Sequence, residues 1–249
     1  MTSAATPKGM RRRARLIAAA GELLCEGGSD AIRHRAVATR ADLPLASTTY
    51  YFESIDDLVV EAVAHTCRAD LAAISARADS LTTARRGRDA TASILAQVMI
   101  GPDPDLQALT ARVEAMVLAS RSPRLAPTLI AHQRLLYDIH HDVLARCGRD
   151  SDVDRVATLV AIEHGSVAVA LSEHDRDIVT AMRLALCDVI DDLAPASVEP
   201  SPAADASADR PDPDTTGQPH PDQPDTDRAD TDRAEHAEAG SGGDLPVGW

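Results

Sequence analysis

Aromatic residues are scarce in this chain of 249 residues, which has five in all. Three of them are consecutive (Tyr50, Tyr51 and Phe52), and the other two are Tyr137 and Trp249. A core built on large rings is thereby excluded. The apolar residues are mostly Ala, Leu, Val and Ile, a composition in which Ala and Leu favour helices. The aromatic cluster therefore indicates a local task rather than ordinary core packing.

Motifs of the common enzyme classes are also missing. The sequence has no GxGxxG, P-loop or GxSxG motif and no cysteine–histidine pair in a recognisable setting, so we predict no catalytic residues and no enzyme. Its four cysteines are far apart and form no CxxC pair, which favours reduced, buried thiols, with a redox sensor as the alternative. The histidines and Glu163 match no metal-binding spacing, so no metal and no cofactor are predicted.

No uninterrupted apolar run approaches the roughly 20 residues of a membrane span. The N-terminus has basic residues but lacks the apolar core of a signal peptide. We therefore expect a cytoplasmic protein that makes no contact with a membrane.

Charge is distributed very unevenly along the chain, whose formal net charge is −14. Residues 195–249 hold thirteen acidic residues against three arginines, nine of the fifteen prolines, and a direct repeat of Asp-Thr-Asp-Arg-Ala. Such a segment buries too little apolar area to fold, so we predict a disordered acidic tail, either merely solvated or competing for the basic end. Residues 1–53 instead carry eight basic and five acidic residues.

Apolar periodicity predicts an all-α fold of about nine helices, and no segment alternates as a strand does. The first helix spans about Arg11–Glu26, the second spans Arg33–Arg40, and the third begins at Pro44 and ends near Tyr51. A long fourth helix follows Ser54, its predicted N-cap. Five more are predicted at about 85–100, 105–121, 124–147, 152–172 and 175–193.

The second and third helices, with the tight turn between them, fit a helix-turn-helix. Such a motif needs small or polar residues on the outer face of its second helix, which enters the major groove of DNA. The third helix supplies them, and tyrosines and arginines flank the motif. The predicted DNA-contacting residues are Arg33, Arg35, Leu45, Ala46, Ser47, Thr48, Thr49, Tyr50 and Tyr51.

Residues 33–60 resemble the DNA-binding domain of TetR-type transcriptional repressors, and in particular the branch whose recognition helix reads Pro-Leu-x-Ser-Thr-Thr-Tyr-Tyr-Phe. The resemblance implies that residues 47–50 face DNA, that Tyr51 reaches a phosphate, and that Phe52 packs beneath the helix. Arg33, Asp42 and Ile55 depart from the usual family pattern, at positions that are commonly a small hydroxyl residue, Gly and Lys.

The predicted organisation is a flexible basic arm over residues 1–10, a helix-turn-helix domain over 11–53, a helical body over 54–194 and the tail over 195–249. The family resemblance implies an effector pocket within the body. Polar or adaptable residues in its apolar stretches are the candidates for the lining: Arg112, Glu114, Met116, Gln133, Tyr137, His140 and His164.

The last two helices each carry an apolar stripe that two subunits could pack into a four-helix bundle, although ordinary intrachain core explains the stripes as well. The candidate dimer residues are Leu159, Ile162, Val167, Ile178, Met182, Leu186 and Val189.

Taken with the resemblance, these patterns predict a homodimeric, ligand-responsive repressor. Its expected partners are a palindromic operator in double-stranded DNA and a small-molecule effector. The alternatives are a small-molecule-binding protein without operator function and, less well supported, an α-helical enzyme.

Overall fold

The structure, a computed structural model, describes residues 6–174 and 177–197. Over these ranges the chain forms a 3₁₀ turn at Ser29–Ala31 and nine α-helices: α1 (Pro7–Gly27), α2 (His34–Arg40), α3 (Leu45–Tyr51), α4 (Ile55–Asp79), α5 (Arg88–Ile100), α6 (Leu106–Arg121), α7 (Ala126–Arg146), α8 (Val153–Ser172) and α9 (Ile178–Leu193). The predicted all-α class is confirmed.

Helix α1 begins earlier than its apolar pattern predicts. The Thr6 hydroxyl accepts a hydrogen bond from the N–H of Gly9 at 3.1 Å, and Pro7 occupies the first turn. A hydroxyl cap followed by proline starts a helix well, because proline lacks the N–H that would stay unbonded there. Residues 7–10 therefore belong to α1, which corrects the prediction of a flexible arm over 1–10. Residues 1–5 lie outside the described ranges.

The predicted tail also begins too early. The N–H of Asp150 donates to the carbonyl oxygen of Pro195 at 2.9 Å, and the N–H of Ser197 donates to that of Gly148 at the same distance. These bonds hold residues 195–197 against the end of α7. The remainder of the predicted tail lies outside the described residues.

The helix-turn-helix, α1 to α3 with its connecting turn, packs on one hydrophobic cluster together with α4 and α6. Leu16 and Leu24 of α1, Phe52 and Leu58 are almost completely buried there, and Ala115 of α6 joins them. Phe52 is 4% exposed and lies between the end of α3 and the start of α4, which confirms its predicted packing. The Arg13 guanidinium lies 5.3 Å from the centre of its ring.

Helix α4 starts with the predicted N-cap. The Ser54 hydroxyl accepts from the N–H of Asp57 at 3.1 Å, and the Asp57 carboxylate accepts from the N–H of Ser54 at 3.0 Å. This reciprocal pair satisfies two of the donors that a helix start leaves unbonded. Arg124, just before α7, forms an ion pair with the same carboxylate. The cap thus fixes α4 relative to the α6–α7 connection.

A second cluster forms the core of the body, from α4, α5, α6, α7, α8 and α9. Five predicted dimer residues lie inside it and are at most 5% exposed: Leu159, Val167, Ile178, Met182 and Leu186. They are corrected to intrachain core, because their stripes face α5 and each other within one chain. Ile162 and Val189 are only half-buried.

Helix α8 is, by length and composition alone, long and apolar enough to cross a membrane. Its inner face packs into the core through residues such as Val156, Leu159 and Val160, and Glu163 on the same face is 3% exposed. One face of α8 therefore belongs to the core of the body.

Candidate functional site

The outer face of α3 presents a small polar surface to solvent. Leu45, Ala46, Thr49 and Tyr50 are exposed, while Ser47 and Tyr51 are half-buried. The rings of the two tyrosines meet edge to face, with their centres 4.9 Å apart. Hydroxyl and phenol groups therefore lie next to one another on this face of α3.

Thr48 does not belong to that surface. Its side chain is completely buried, and its hydroxyl donates to the carbonyl oxygen of Leu45 at 2.8 Å. Residues four apart share one face of a helix, so Thr48 lies on the same inner side as Phe52. The expectation that Thr48 faces DNA is corrected to a structural role.

Arg33 and Arg35, at the start of α2, are exposed. Arg40 instead forms ion pairs with Glu22 and Glu26 of α1, at 3.1 and 2.6 Å, and fastens α2 to α1. In the basic run at the start of α1, Arg13 pairs with Glu61 and Arg15 donates to the carbonyl oxygen of Ala41. Some of the basic residues thus stabilise the packing of the helix-turn-helix.

The turn between α2 and α3 needs an unusual backbone conformation at Asp42, where φ is 49°. Aspartate tolerates the left-handed region better than most residues. The N–H of Leu43 then donates back to the carbonyl oxygen of Ala38 at 3.0 Å. Asp42 therefore replaces the glycine usual in the family without loss of the turn.

A cavity of about 420 Å³ is bounded by α1, the end of α5, the loop at 101–105, and helices α4, α6, α7 and α8. Much of its wall is apolar, from Ala69, Ala73, Ile100, Leu109, Ala111, Ala115 and Leu129. Volume and lining are those of a small-molecule site, which places a few polar groups in an apolar enclosure.

Four of the seven predicted pocket residues line this cavity: Arg112, Met116, Gln133 and His164. The other three do not. Tyr137 packs half-buried against the core of the body, and His140 is buried in that core with Glu163. Both lie further along α7 than the cavity wall, which ends at Gln133 on that helix. Glu114 faces away from the cavity because it lies two residues from Arg112 on α6.

Glu114 connects α6 to the end of α1. Its Oε1 accepts a hydrogen bond from the N–H of Ser29 at 2.7 Å. Gly28 beside it has φ of 69°, and a Cβ added there would lie 2.6 Å from Glu114 Oε2. Glycine is required for both the conformation and the close approach. The contact joins a cavity-lining helix to the helix-turn-helix.

Sequence reasoning missed three ionisable side chains in the wall of the cavity, which are Asp70, His132 and Arg77. Asp70 forms an ion pair with Arg112, and its Oδ2 lies 3.7 Å from His132 Nε2. Arg77 donates through Nε to the carbonyl oxygen of Val98 at 2.7 Å. A weak signal existed: Asp70 lies one turn before Ile74 on the apolar pattern of α4.

The histidines and cysteines of the wall have pKa values shifted toward their neutral forms. Burial lowers the pKa of His132, and it lowers the pKa of His164 to about 4. Burial raises the pKa of the Cys25 thiol and, to about 11, that of Cys67. All four side chains are therefore neutral near pH 7, and the two thiols are poor nucleophiles.

His140 and Glu163 form a separate buried pair in the core. His140 Nε2 lies 2.7 Å from Glu163 Oε2, and Nδ1 lies 2.7 Å from the carbonyl oxygen of Leu136. Burial lowers the pKa of His140, but the charge and hydrogen bond of Glu163 outweigh it, so the pKa is raised.

Over the described ranges, no three His, Cys, Asp or Glu side chains are grouped to hold a metal.

The depressed pKa of His164 predicts a loss of stability in acid. Unfolded histidine takes up a proton below about pH 6.5, whereas folded His164 does so only near pH 4. The stability that this neutral histidine contributes is thus complete above pH 6.5 and is lost as the pH falls toward 4. Between pH 7 and 5 we expect His164→Gln to lose about 2 kcal/mol less free energy of unfolding than wild type.

Chemical denaturation at the two pH values measures this difference. His141→Gln, an identical change at an exposed position of α7, should follow the wild-type pH profile. Equal losses in wild type and His164→Gln would show that His164 is not held neutral by burial.

Residues 86–192 match a family model described as the tetracyclin repressor-like C-terminal domain. The multidrug binding protein EbrR, solved in complex with proflavin, is 28% identical to this chain over 72% of this chain and 99% of EbrR, with a TM-score of 0.56. A TetR family member from Streptomyces coelicolor A3 is 26% identical over 70% and 95% of the two chains, with a TM-score of 0.51.

A transcriptional regulator from Saccharomonospora viridis, solved in complex with choline, shares the fold at 19% identity over 74% and 97% of the two chains, with a TM-score of 0.59. No curated protein matches the sequence. Residues 86–192 are thus similar to the C-terminal domain of tetracyclin repressor-like proteins, and the all-helical architecture is shared with the solved structures named here.

Proposed function

We propose that this protein is a cytoplasmic, ligand-responsive transcriptional repressor. It binds a palindromic operator as a homodimer and releases it when a small molecule enters the cavity of the body. One observation carries the proposal: α1 and α6 each belong both to the wall of the cavity and to the hydrophobic cluster that supports the helix-turn-helix. A ligand in the cavity therefore touches two helices that share a hydrophobic cluster with the helix-turn-helix.

The surface of α3 supports contact with DNA. Hydroxyls of Ser47 and Thr49 suit base edges in the major groove, and the methyl groups of Ala46 and Thr49 suit a thymine methyl. Tyr51, with Arg33 and Arg35, suits phosphate oxygens, which fix the position of a protein on DNA without reading its sequence. Tyr50, exposed next to Thr49, adds a phenol at the same edge.

The α6 contacts support coupling between ligand and DNA. Arg112 on α6 pairs with Asp70 at the cavity, and Glu114 on the same helix holds Ser29 at the end of α1. A ligand that displaces Arg112 moves α6, and with it the anchor of the helix-turn-helix. Release of the operator requires a preference of about 1–3 kcal/mol for the displaced arrangement.

The outer face of α8 and α9 supports dimerisation with a second copy. Val169 and Leu184 are 49% and 50% exposed, and they border a shallow groove with Gly165, Ala181 and Ala185. Small residues allow close approach of helices, and a two-fold axis would bring this groove onto itself. Half-buried Ile162 and Val189, from the predicted set, extend it. A two-fold dimer pairs two recognition helices with the halves of a palindrome.

Two matched substitutions in α3 separate reading from folding. Thr49→Ala should change the preference at particular base pairs, by about 1–3 kcal/mol, because the Thr49 side chain is exposed on the outer face of α3. Thr48→Ala makes the same chemical change on the buried side, so it should lower the midpoint of thermal unfolding and leave base preference unaltered. Binding to a panel of single-base operator variants at fixed salt measures the first effect, and calorimetry measures the second.

A third variant tests the phosphate contact. Tyr51→Phe should weaken binding by about 0.5–1.5 kcal/mol, evenly across operator variants, since one hydrogen bond to the backbone is removed. If Thr49→Ala and Tyr51→Phe both leave operator affinity within twofold of wild type, α3 is not the recognition helix.

Selection of genomic fragments by the purified protein, repeated with candidate metabolites, tests the function as a whole. Enriched palindromes that a metabolite releases would support it. A protein that binds metabolites and enriches no sequence would instead be a small-molecule-binding protein without operator function, and turnover of a metabolite would indicate an enzyme.

The dimer surface makes its own prediction. Val169→Asp and Leu184→Asp place a charge at the centre of the proposed interface, where burial without a partner is costly. Each should convert the dimer to monomer in sedimentation velocity. Leu135→Asp, at a site on α7 with 51% exposure, is the matched control and should stay dimeric. Dimerisation that survives both interface changes would place the interface elsewhere.

A further inference from the structure

Three polar atoms in the wall of the cavity are buried without a hydrogen-bond partner among the described residues: Asp70 Oδ2, Arg112 Nε and His132 Nδ1. Buried polar atoms are nearly always bonded, because an unsatisfied one costs about 1–3 kcal/mol. The His132 side chain is 5% exposed, so bulk water does not serve it. The three side chains, which we call the polar floor, thus offer one acceptor, one donor and one atom of either kind.

The polar floor carries no net charge. Asp70 and Arg112 neutralise each other, with only 21% and 13% of their side chains exposed. Burial lowers the pKa of His132, and of His164 beside it, so both are neutral near pH 7. A charged group placed on this floor would have no counter-charge, and a buried charge without a partner is strongly unfavourable.

The other charged side chains of the lining do not belong to the polar floor, and each of them is hydrogen-bonded to the protein or exposed to water. Arg77 donates to the carbonyl oxygens of Val98 and Met99 at the C-terminal end of α5, where the helix dipole favours a cation. Asp105 caps the start of α6, and Asp103 lies in the same exposed loop. These carboxylates are in contact with water, which screens their charge.

The wall also lacks the side chains with which proteins commonly hold a cation over a ring. None of the described residues that line the cavity is Phe, Tyr or Trp. Cation–π contacts, by which proteins commonly recognise quaternary ammonium groups, are therefore unavailable to a ligand in this cavity.

We propose that the effector is a neutral molecule with a compact apolar body and one group that both donates and accepts hydrogen bonds: an alcohol, a phenol or a primary amide. This inference rests on the proposed role of the cavity as the effector site. The polar group of the ligand donates to Asp70 Oδ2 and accepts from Arg112 Nε. A hydroxyl has then used its one hydrogen, so His132 Nδ1 donates to its oxygen, whereas the second N–H of a primary amide can instead donate to His132 Nδ1. The apolar body packs on the alanine and leucine side chains of α4 and α6.

Three probes of one shape test the charge preference. Phenylbutanol, phenylbutylamine and phenylbutyrate share an apolar body and differ at the end group, which is neutral, cationic and anionic at pH 7. We expect calorimetric titration of the full-length protein to show the alcohol binding at least about tenfold more tightly than either ion, a difference of about 1.4 kcal/mol. Equal or tighter binding of either ion, or no binding of the alcohol at millimolar concentration, would overturn the proposal.

Two substitutions alter the charge of the floor in opposite directions. Arg112→Met leaves the Asp70 carboxylate uncompensated, so the preference should shift toward phenylbutylamine by at least about tenfold. Asp70→Asn leaves the Arg112 guanidinium uncompensated and should shift the preference toward phenylbutyrate by a similar factor. Arg121→Met, on the same helix at an exposed position, is the control and should keep the wild-type order.

Circular dichroism shows whether each variant is folded. If one variant is unfolded, the other still tests the proposal by itself. Wild-type order in both folded variants would mean that the probes do not bind at the polar floor. Operator binding, followed by fluorescence anisotropy, separates this proposal from the proposed function. Sequence-specific DNA binding with a preference for charged probes overturns the ligand class alone, whereas loss of DNA specificity with a preference for the alcohol overturns the function alone.

Discussion

Helix α6 is held on opposite sides by two charged side chains. Arg112 pairs with Asp70 of α4 across the cavity, and Glu114 accepts the N–H of Ser29 at the end of α1. Successive residues of an α-helix are rotated by about 100° around its axis, so side chains two positions apart project in nearly opposite directions. The same helix therefore meets the cavity on one side and the helix-turn-helix on the other. The relation between the two depends on where α6 lies, and both contacts set that position.

The buried polar groups of the body fall into two sets with different roles. His140 and Glu163 bond to each other inside the core, across α7 and α8, and fix the packing of those helices. Asp70, Arg112 and His132 lie at the cavity and keep bonding capacity in reserve. Glu163 Oε1 is also buried without a hydrogen-bond partner among the described residues, so open bonding capacity alone does not separate the two sets. What separates them is their surroundings: the pair lies in the packed core, whereas Asp70, Arg112 and His132 line a cavity.

The sequence predicted the order of the helices and most of their bounds, because apolar periodicity and caps such as Ser54 act locally. Thr48 was misplaced although its spacing of four from Phe52 contained the answer, since the family resemblance treated residues 47–50 as one surface. The dimer stripe could not be resolved, because Leu159 and Leu186 show the same periodicity whether they face their own chain or another. Asp70 and His132 were missed because they lie on different helices, and only the tertiary fold brings them together.

The ion pairs of Arg40 with Glu22 and Glu26 have a mechanical consequence. They attach α2 to the last two turns of α1, the same turns that reach the cavity wall through Cys25. Helix α3 packs against α2, so the joint between α2 and α1 also sets the position of α3 relative to the cavity wall. Since the bonds that form this joint are partly exposed ion pairs, its stiffness depends on the ionic strength of the solution.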